Sequence, residues 1–372
     1  MRSFDELLTW RESSTTADAI RAAVTAAGGA PSGLLDLLAD AERIVVTGAG
    51  SSYYLAQSTA AAARQLLHKP VQAAPLSELI FRPGGVLVGG PLAGGDGRSS
   101  GLSGSAASTG ANDREPVVVI SRSGSTTEAV SVVERMREAG HPTIAVTCRQ
   151  ESPLATLATW TLVSPAGDEA AIVMTRSFAS MLALVLGVVG RAAGDRAVVD
   201  DLARAGGHWA EAAAAAAVGR RLGATSWSRV VVLGGGPASG IAAEWGLKLT
   251  ETSQIPTNTY EPLEFRHGPI SVCEPGTLVV GLVGGAGSAE EVAVLGEAVD
   301  LGATTWLIAR DEDEARGAPG EVSLVGRGLH PIARLPLLLH PGHALALSIA
   351  LARGRDPDAP RHLGQVVILR SE

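Results

Sequence analysis

One local pattern recurs three times in this chain: a β-branched run, a turn of glycine or small hydroxyl residues, then a helix. It reads RIVVTGAGSSYYLAQSTAAAARQLL from Arg43, VVVISRSGSTTEAVSVVERMREAG from Val117 and RVVVLGGGPASGIAAEWGLKLTETS from Arg229. Strand, turn, helix, strand at this spacing leaves little besides right-handed βαβ units and a parallel sheet. Further strands are predicted at residues 143–148, 277–283 and 304–309, with helices at 176–192 and 288–301. Residues 2–42 read as helical, with Thr15 and Ser32 as N-caps. Residues 199–226 read as one long helix joining two similar α/β units.

Composition agrees with close packing of small residues. Hydrophobic residues are 46% of the 372, aromatics only 3%, and glycine numbers 45. A core of Ala, Val, Leu and Ile, punctuated by glycine turns, suits buried parallel strands with helices packed on them. The segment 89–115 (GGPLAGGDGRSSGLSGSAASTGANDRE) carries almost no bulky apolar residue and is expected to be a flexible surface insertion.

Charge and cysteine content narrow the partners. The formal net charge is −8, with no basic tract or aromatic-interleaved Lys/Arg stripe, so nucleic-acid binding is set aside. Cys148 and Cys273 are too few for a disulfide framework, and no Cys/His spacing resembles a metal site. The N-terminus MRSFDELLTW is not an apolar leader, and no stretch approaches an uncharged membrane span. A cytoplasmic protein with no membrane partner is the expectation.

The turns at 48–52 and 121–127 are the first candidates for chemistry. Each ends a buried strand and opens a helix, where unpaired N–H groups and short hydroxyls together can cradle a phosphate. Simple N-capping is the competing explanation. Ser121, Ser123, Ser125, Thr126 and Thr127 are more hydroxyls than capping requires. The glycines fit neither a Walker loop nor GxGxxG, so nucleotide binding is weakly supported.

On the helix at 238–253, Glu244, Lys248 and Glu251 stand at i, i+4 and i+7 and share one face. A solvated ion-pair face is the ordinary meaning of that spacing. Trp245, Leu247 and Leu249 imply that the helix is enclosed, and an enclosed carboxylate beside a lysine is a candidate general base. His267, in TNTYEPLEFRHGP, is a loop histidine that is either plain surface or functional.

Taken together, GAGSSYYLA, SRSGSTTEA, AGDEAAIVMTRSF and KLTETSQIPTNTYEPLEFRHGP resemble the sugar isomerase (SIS) family, in the tandem form found in the isomerase half of glucosamine-6-phosphate synthases. The resemblance runs over nearly the whole chain from about residue 40. It implies two three-layer αβα, flavodoxin-like SIS domains, at 43–198 and 227–372, behind an N-terminal helical segment at 1–42. It also implies that the two hydroxyl turns hold a sugar phosphate: Gly50, Ser51 and Ser52 from the first, and Ser121, Arg122, Ser123, Ser125 and Thr126 from the second, with Thr175 beside them. Glu251 falls on the base that moves a proton between C1 and C2, Lys248 on the neighbouring lysine and Glu244 on a further substrate-site glutamate. His267 falls on the ring-opening histidine supplied by the adjacent subunit, which implies a homodimer. No metal or other cofactor is implied.

Three departures bear on the reaction. No glutaminase domain or following cysteine accompanies Met1. The closing PRHLGQV carries Gln365 where the synthases have a lysine, which removes a Schiff-base amine. Met174 replaces a hydroxyl in AIVMTRSF, a form closer to stand-alone amino-sugar-phosphate deaminase/isomerases and fructosamine-6-phosphate deglycases. The expected function is therefore an amino-sugar 6-phosphate isomerase/deaminase that releases ammonia and a ketose 6-phosphate. A deglycase or a non-catalytic sugar-phosphate-binding regulator is the alternative.

Overall fold

The computed structural model describes residues 3–87, 115–285 and 287–364. Of the insertion expected at 89–115, only Glu115 lies within the described residues; it is buried, 3.5 Å from the Arg43 guanidinium. Gln365 lies outside them.

Three helices, α1 (Leu8–Ser13), α2 (Thr16–Gly28) and α3 (Ser32–Asp40), precede the first sheet. Neither predicted N-cap works through its side chain. The Thr15 hydroxyl donates to the Glu12 carbonyl, and Ser32 is already helical behind Pro31. The first unit then runs β1 (Ile44–Gly48), α4 (Ser51–Leu67), β2 (Val71–Pro75), α5 (Leu76–Phe81), β3 (Val117–Ile120), α6 (Thr127–Glu138), β4 (Thr143–Thr147), α7 (Pro153–Leu157), β5 (Trp160–Val163) and α8 (Arg176–Ala192). The expected linking helix is two, α9 (Arg196–Ala205) and α10 (Trp209–Gly223). A 3-10 turn at Gly206–His208 separates them, because paired glycines weaken the helix there.

The second unit comprises β6 (Arg229–Gly234), α11 (Ser239–Ser253), β7 (Thr257–Tyr260), α12 (Pro262–Phe265), β8 (Thr277–Leu282), α13 (Ser288–Asp300), β9 (Thr304–Ala309), β10 (Glu321–Leu324) and α14 (Leu339–Ala352). Both sheets are five-stranded and parallel, ordered β2-β1-β3-β4-β5 and β10-β9-β8-β6-β7. Read from opposite edges these are the same topology, so the unit is duplicated. Central strands such as Val117–Ile120 and Thr277–Leu282 are buried along their whole length, which is why they are continuous apolar runs without alternation.

The two units share one core, in which α8, α11 and α14 are largely enclosed. The run Leu335–Ala352 is apolar and long enough to span a bilayer, contrary to the expectation from sequence, and 89% of it is buried in this core. Two glycines set the distances that matter. A Cβ on Gly240 would lie 2.2 Å from the Tyr54 carbonyl oxygen, so only glycine lets α11 of the second unit press against α4 of the first. A Cβ on Gly342 would lie 2.3 Å from the Trp245 ring, which fixes α14 against the other side of α11. The helix carrying Glu244, Lys248 and Glu251 is thus clamped between the units.

Candidate active site

The carboxyl ends of β1 and β3 diverge where the strand order reverses, the place in such sheets where ligands bind. At the end of β1, Gly48 cannot carry a side chain: a Cβ would lie 2.5 Å from the Ser52 backbone. Gly50 follows with φ 56°, and α4 opens at once with Ser51 and Ser52, both buried. At the end of β3, Gly124 (φ 61°) folds the chain back under Ser152, and α6 starts behind Thr126. Two helix N-termini and their free N–H groups therefore face one point.

Between them lies a cavity of about 190 Å³, lined by Gly50, Ser51, Ser52, Ser121, Arg122, Ser123, Thr126, Met174, Lys248, Glu251 and Gly364, among others. This is small beside the roughly 300–1,000 Å³ of drug-sized sites and suits a compact metabolite. Three larger hollows, about 580, 520 and 590 Å³, lie elsewhere among the described residues. The small cavity is the one that joins two helix N-termini and their serine and threonine hydroxyls to the Lys248 ammonium and the Glu251 carboxylate, and that chemistry marks it as the candidate site.

The predicted triplet is brought together across the inter-unit seam. Lys248 Nζ lies 3.3 Å from Glu244 Oε1, donates to Ser51 Oγ at 3.2 Å and donates to Glu251 Oε2. The three differ sharply in burial: side-chain exposure is 0% for Glu244, 3% for Lys248 and 20% for Glu251. Burial works against the Lys248 ammonium, but Glu244 and Glu251 outweigh it and hold its pKa above the ordinary value. Desolvation pushes Glu244 up to about 8 despite Lys248, and neither of its oxygens makes an aligned hydrogen bond. At neutral pH, Glu244 is therefore mostly protonated and Lys248 charged, and of the two carboxyl groups Glu251 is the one that meets the cavity.

Folding thus holds a proton on Glu244 that the unfolded chain, with a carboxyl near 4.5, releases. A raised folded pKa contributes stability that is fully present below pH 4.5 and lost as pH climbs toward 8. Unfolding free energies from urea denaturation are expected to fall across that window by on the order of a few kcal/mol, and Glu244→Gln is expected to flatten the slope. Glu291, raised to about 7 by burial and by Glu261, and Glu169, raised by burial, contribute to the slope that remains.

The remaining predicted residues divide. Ser121 Oγ and Thr126 Oγ1 are 3.3 Å apart at the cavity, whereas Ser125 is set back and donates its hydroxyl to Ser123 Oγ at 3.0 Å. Arg122 presents part of itself to the cavity but spends its guanidinium on the Ala171 and Ile172 carbonyls and on Glu169, 3.6 Å away. Thr175 does not reach the cavity. It is fully buried, and its N–H and hydroxyl both donate to the Glu169 carboxylate, at 2.8 and 2.6 Å. His267 is exposed in the turn after α12 and is not among the residues around the cavity of a single chain. Sequence reasoning missed Glu169, whose hydrogen bonds to Thr175 and Ser177 hold the wall that carries Met174. Its only signal was an acidic residue six and eight positions before two hydroxyls. Among the described residues, no group of three or more His, Cys, Asp and Glu side chains is arranged to hold a metal ion.

Comparison with known proteins bears on the fold that carries this site. Residues 106–189 and 225–315 each match the SIS domain. A glutamine–fructose-6-phosphate aminotransferase (isomerizing) of Streptococcus pyogenes is 26% identical over 353 residues, covering 90% of this chain and 53% of that protein. The chain spans about half the length of the curated relatives it matches. Among solved structures, the glucosamine-6-phosphate deaminase of Thermotoga maritima superposes with a TM-score of 0.74 at 24% identity, covering 97% of this chain and 99% of that one. The tagatose-6-phosphate ketose/aldose isomerase of Escherichia coli gives 0.78 at 23% identity, covering 100% and 98%.

Proposed function

The chain carries two SIS domains in tandem, and from that premise we propose that it is a phosphosugar enzyme that isomerises and deaminates an amino-sugar 6-phosphate. The observation that carries the proposal is the junction of a hydroxyl-lined, doubly helix-capped cavity with Glu251, held by a buried ammonium. The cradle supplies donors for a phosphate dianion, and the carboxylate stands where a sugar carbon chain would extend from it.

In this reading the open-chain aldose loses its C2 proton to Glu251, giving an enolamine. The same carboxylate returns the proton to C1, leaving an imine at C2. Water adds to that imine and ammonia leaves, so amino-sugar phosphate plus water becomes ketose phosphate plus ammonia. One carboxylate on one face of the substrate serves both proton transfers, and Lys248 stabilises the developing oxyanion or orients Glu251. His267 assists ring opening from a second copy of the chain, which accounts for its exposure in a single one. The names of two structural neighbours, a glucosamine-6-phosphate deaminase and a ketose/aldose isomerase, support the reaction class.

The test is to incubate the protein with glucosamine, galactosamine and fructosamine 6-phosphates and measure released ammonia or amine. Ammonia from one of the first two is the expected result. Free amine from a fructosamine phosphate alone would move the protein to the deglycases. Thermal stabilisation by a sugar phosphate without turnover would make it a sensor.

A further inference from the structure

Helix α1 lies outside both segments that match the SIS domain, yet its last two residues are tied to the two sides of the site. Glu12 is 9% exposed and its carboxylate spans two consecutive peptide groups: Oε1 accepts from the Ala170 N–H at 2.7 Å and Oε2 from the Ala171 N–H at 2.8 Å. The carbonyls of Ala171 and Ile172 accept from Arg122 at 3.1 and 3.3 Å. The backbone at 170–172 is therefore gripped by an anion through its N–H groups and by a cation through its carbonyls. The same strip continues into Ile172, Val173 and Met174, which form one wall of the cavity.

Ser13 completes the tie on the other side. Its hydroxyl is 2.8 Å from both His340 Nδ1 and His343 Nδ1, on the helix that backs the one carrying Glu251. Charge-assisted hydrogen bonds from paired backbone N–H groups to one carboxylate are strong and directional. The strip between residues 168 and 174 has no regular secondary structure; Glu169, bonded to Thr175 and Ser177, and Arg176, which donates to the Asp168 carbonyl and lies 3.6 Å from Glu12, fix its ends, and Glu12 holds the peptide groups between them.

Resting on the phosphosugar reading above, we propose that Glu12 is a positioning residue, which fixes the 170–174 wall against the bound substrate without touching it. The amide of Glu12→Gln has one acceptor oxygen and turns an NH2 group toward the second N–H, so the grip is broken without a change of shape.

The experiment compares Glu12→Gln, Glu12→Asp and Thr9→Ala by hydrogen exchange and by kinetics. Thr9 sits on the same helix and anchors it to Asp358 (Oγ1 to Oδ1, 2.7 Å), away from the wall, so Thr9→Ala reports mere loosening of α1. Expected for Glu12→Gln is exchange over residues 168–175 faster by about tenfold or more. KM for the amino-sugar phosphate is expected to rise by about tenfold with kcat changed far less. Glu12→Asp should recover part of both, and Thr9→Ala should show neither. Exchange over 168–175 equal in Glu12→Gln and Thr9→Ala overturns the proposal, as does faster exchange with unchanged KM. If the wild-type protein neither turns over nor is stabilised by any of the three sugar phosphates, the phosphosugar reading falls. The exchange data then still decide whether Glu12 holds the wall.

Discussion

Glu251→Gln is expected to lower kcat for ammonia release by about 10²–10⁴-fold while leaving substrate-induced thermal stabilisation in place. The argument rests on the division of labour within one helix face. Glu244 is sealed and mostly protonated, so it has no partner to exchange a proton with. Lys248 is sealed and charged. Lys248 and Glu251 both border the cavity, but of the triplet only Glu251 offers a basic atom there: Lys248 occupies its Oε2, leaving Oε1 to take a proton from substrate. Glutamine keeps the oxygen that Lys248 needs and the volume of the side chain, and removes only the basicity. Ligand binding, governed by the serine turns at the far end, should survive. Steady-state kinetics on the best substrate, run with a thermal-shift titration, separate the two. A variant within about threefold of wild-type kcat, against the expected 10²-fold or more, would remove Glu251 from the proton-transfer role.

How much of this could be read from the sequence depends on how local each feature is. The hydroxyl turns were legible because strand end, glycine and helix start are consecutive, and the triplet because helical geometry turns positions 244, 248 and 251 to one side. What escaped depends on distant partners. Strands β2, β5, β7 and β10 are short and carry exposed or half-buried polar positions, as in Thr257–Tyr260, so their pairing is decided by the neighbouring strand. Helix α14 opens Leu-His-Pro-Gly, a start whose proline and glycine weaken the helical signal. Proline is tolerated in a first helical turn, and Gly342 is required by the Trp245 ring pressed against it. Thr175 looked like a phosphate ligand until Glu169 was seen to hold both its donors.

Duplication explains why a single site is built. The second sheet reaches the same switch point, but its turn reads Gly-Gly-Gly-Pro-Ala at 234–238, where the first has Gly-Ala-Gly-Ser-Ser at 48–52, so Pro237 and Ala238 stand in the places of Ser51 and Ser52. The backbone scaffold was copied without those two serines, and the second unit instead contributes the helix that carries Glu244, Lys248 and Glu251. In the proposed reading, one unit's phosphate cradle and the other's proton-transfer helix meet through the close contact that Gly240 permits, so turnover requires both units.

The cation at that seam should have the larger effect on stability. Replacing Lys248 by methionine keeps the apolar stem and deletes the only positive charge that lies between Glu244 and Glu251. Breaking a buried ion pair by removing one partner typically costs about 3–5 kcal/mol. Here Glu244 can remain protonated, so at pH 6 a loss near the lower end, about 3 kcal/mol, is expected. At pH 9 the comparison changes. The wild-type Glu244, with a pKa near 8, is largely ionised and balanced by Lys248. In Lys248→Met it has lost the partner that most lowered its pKa, and the Ser51 hydroxyl is left as the weaker one. It therefore stays protonated to higher pH, and the folded state continues to lose ground to an unfolded chain whose carboxyl is free to ionise. The destabilisation should be larger at pH 9 than at pH 6, and Glu244→Gln in the same background should abolish the difference. Urea denaturation of the two single variants and the double variant at both pH values gives the coupling directly. A cost that is equal at the two pH values and indifferent to Glu244→Gln would show that the pair, though 3.3 Å apart, is not thermodynamically coupled.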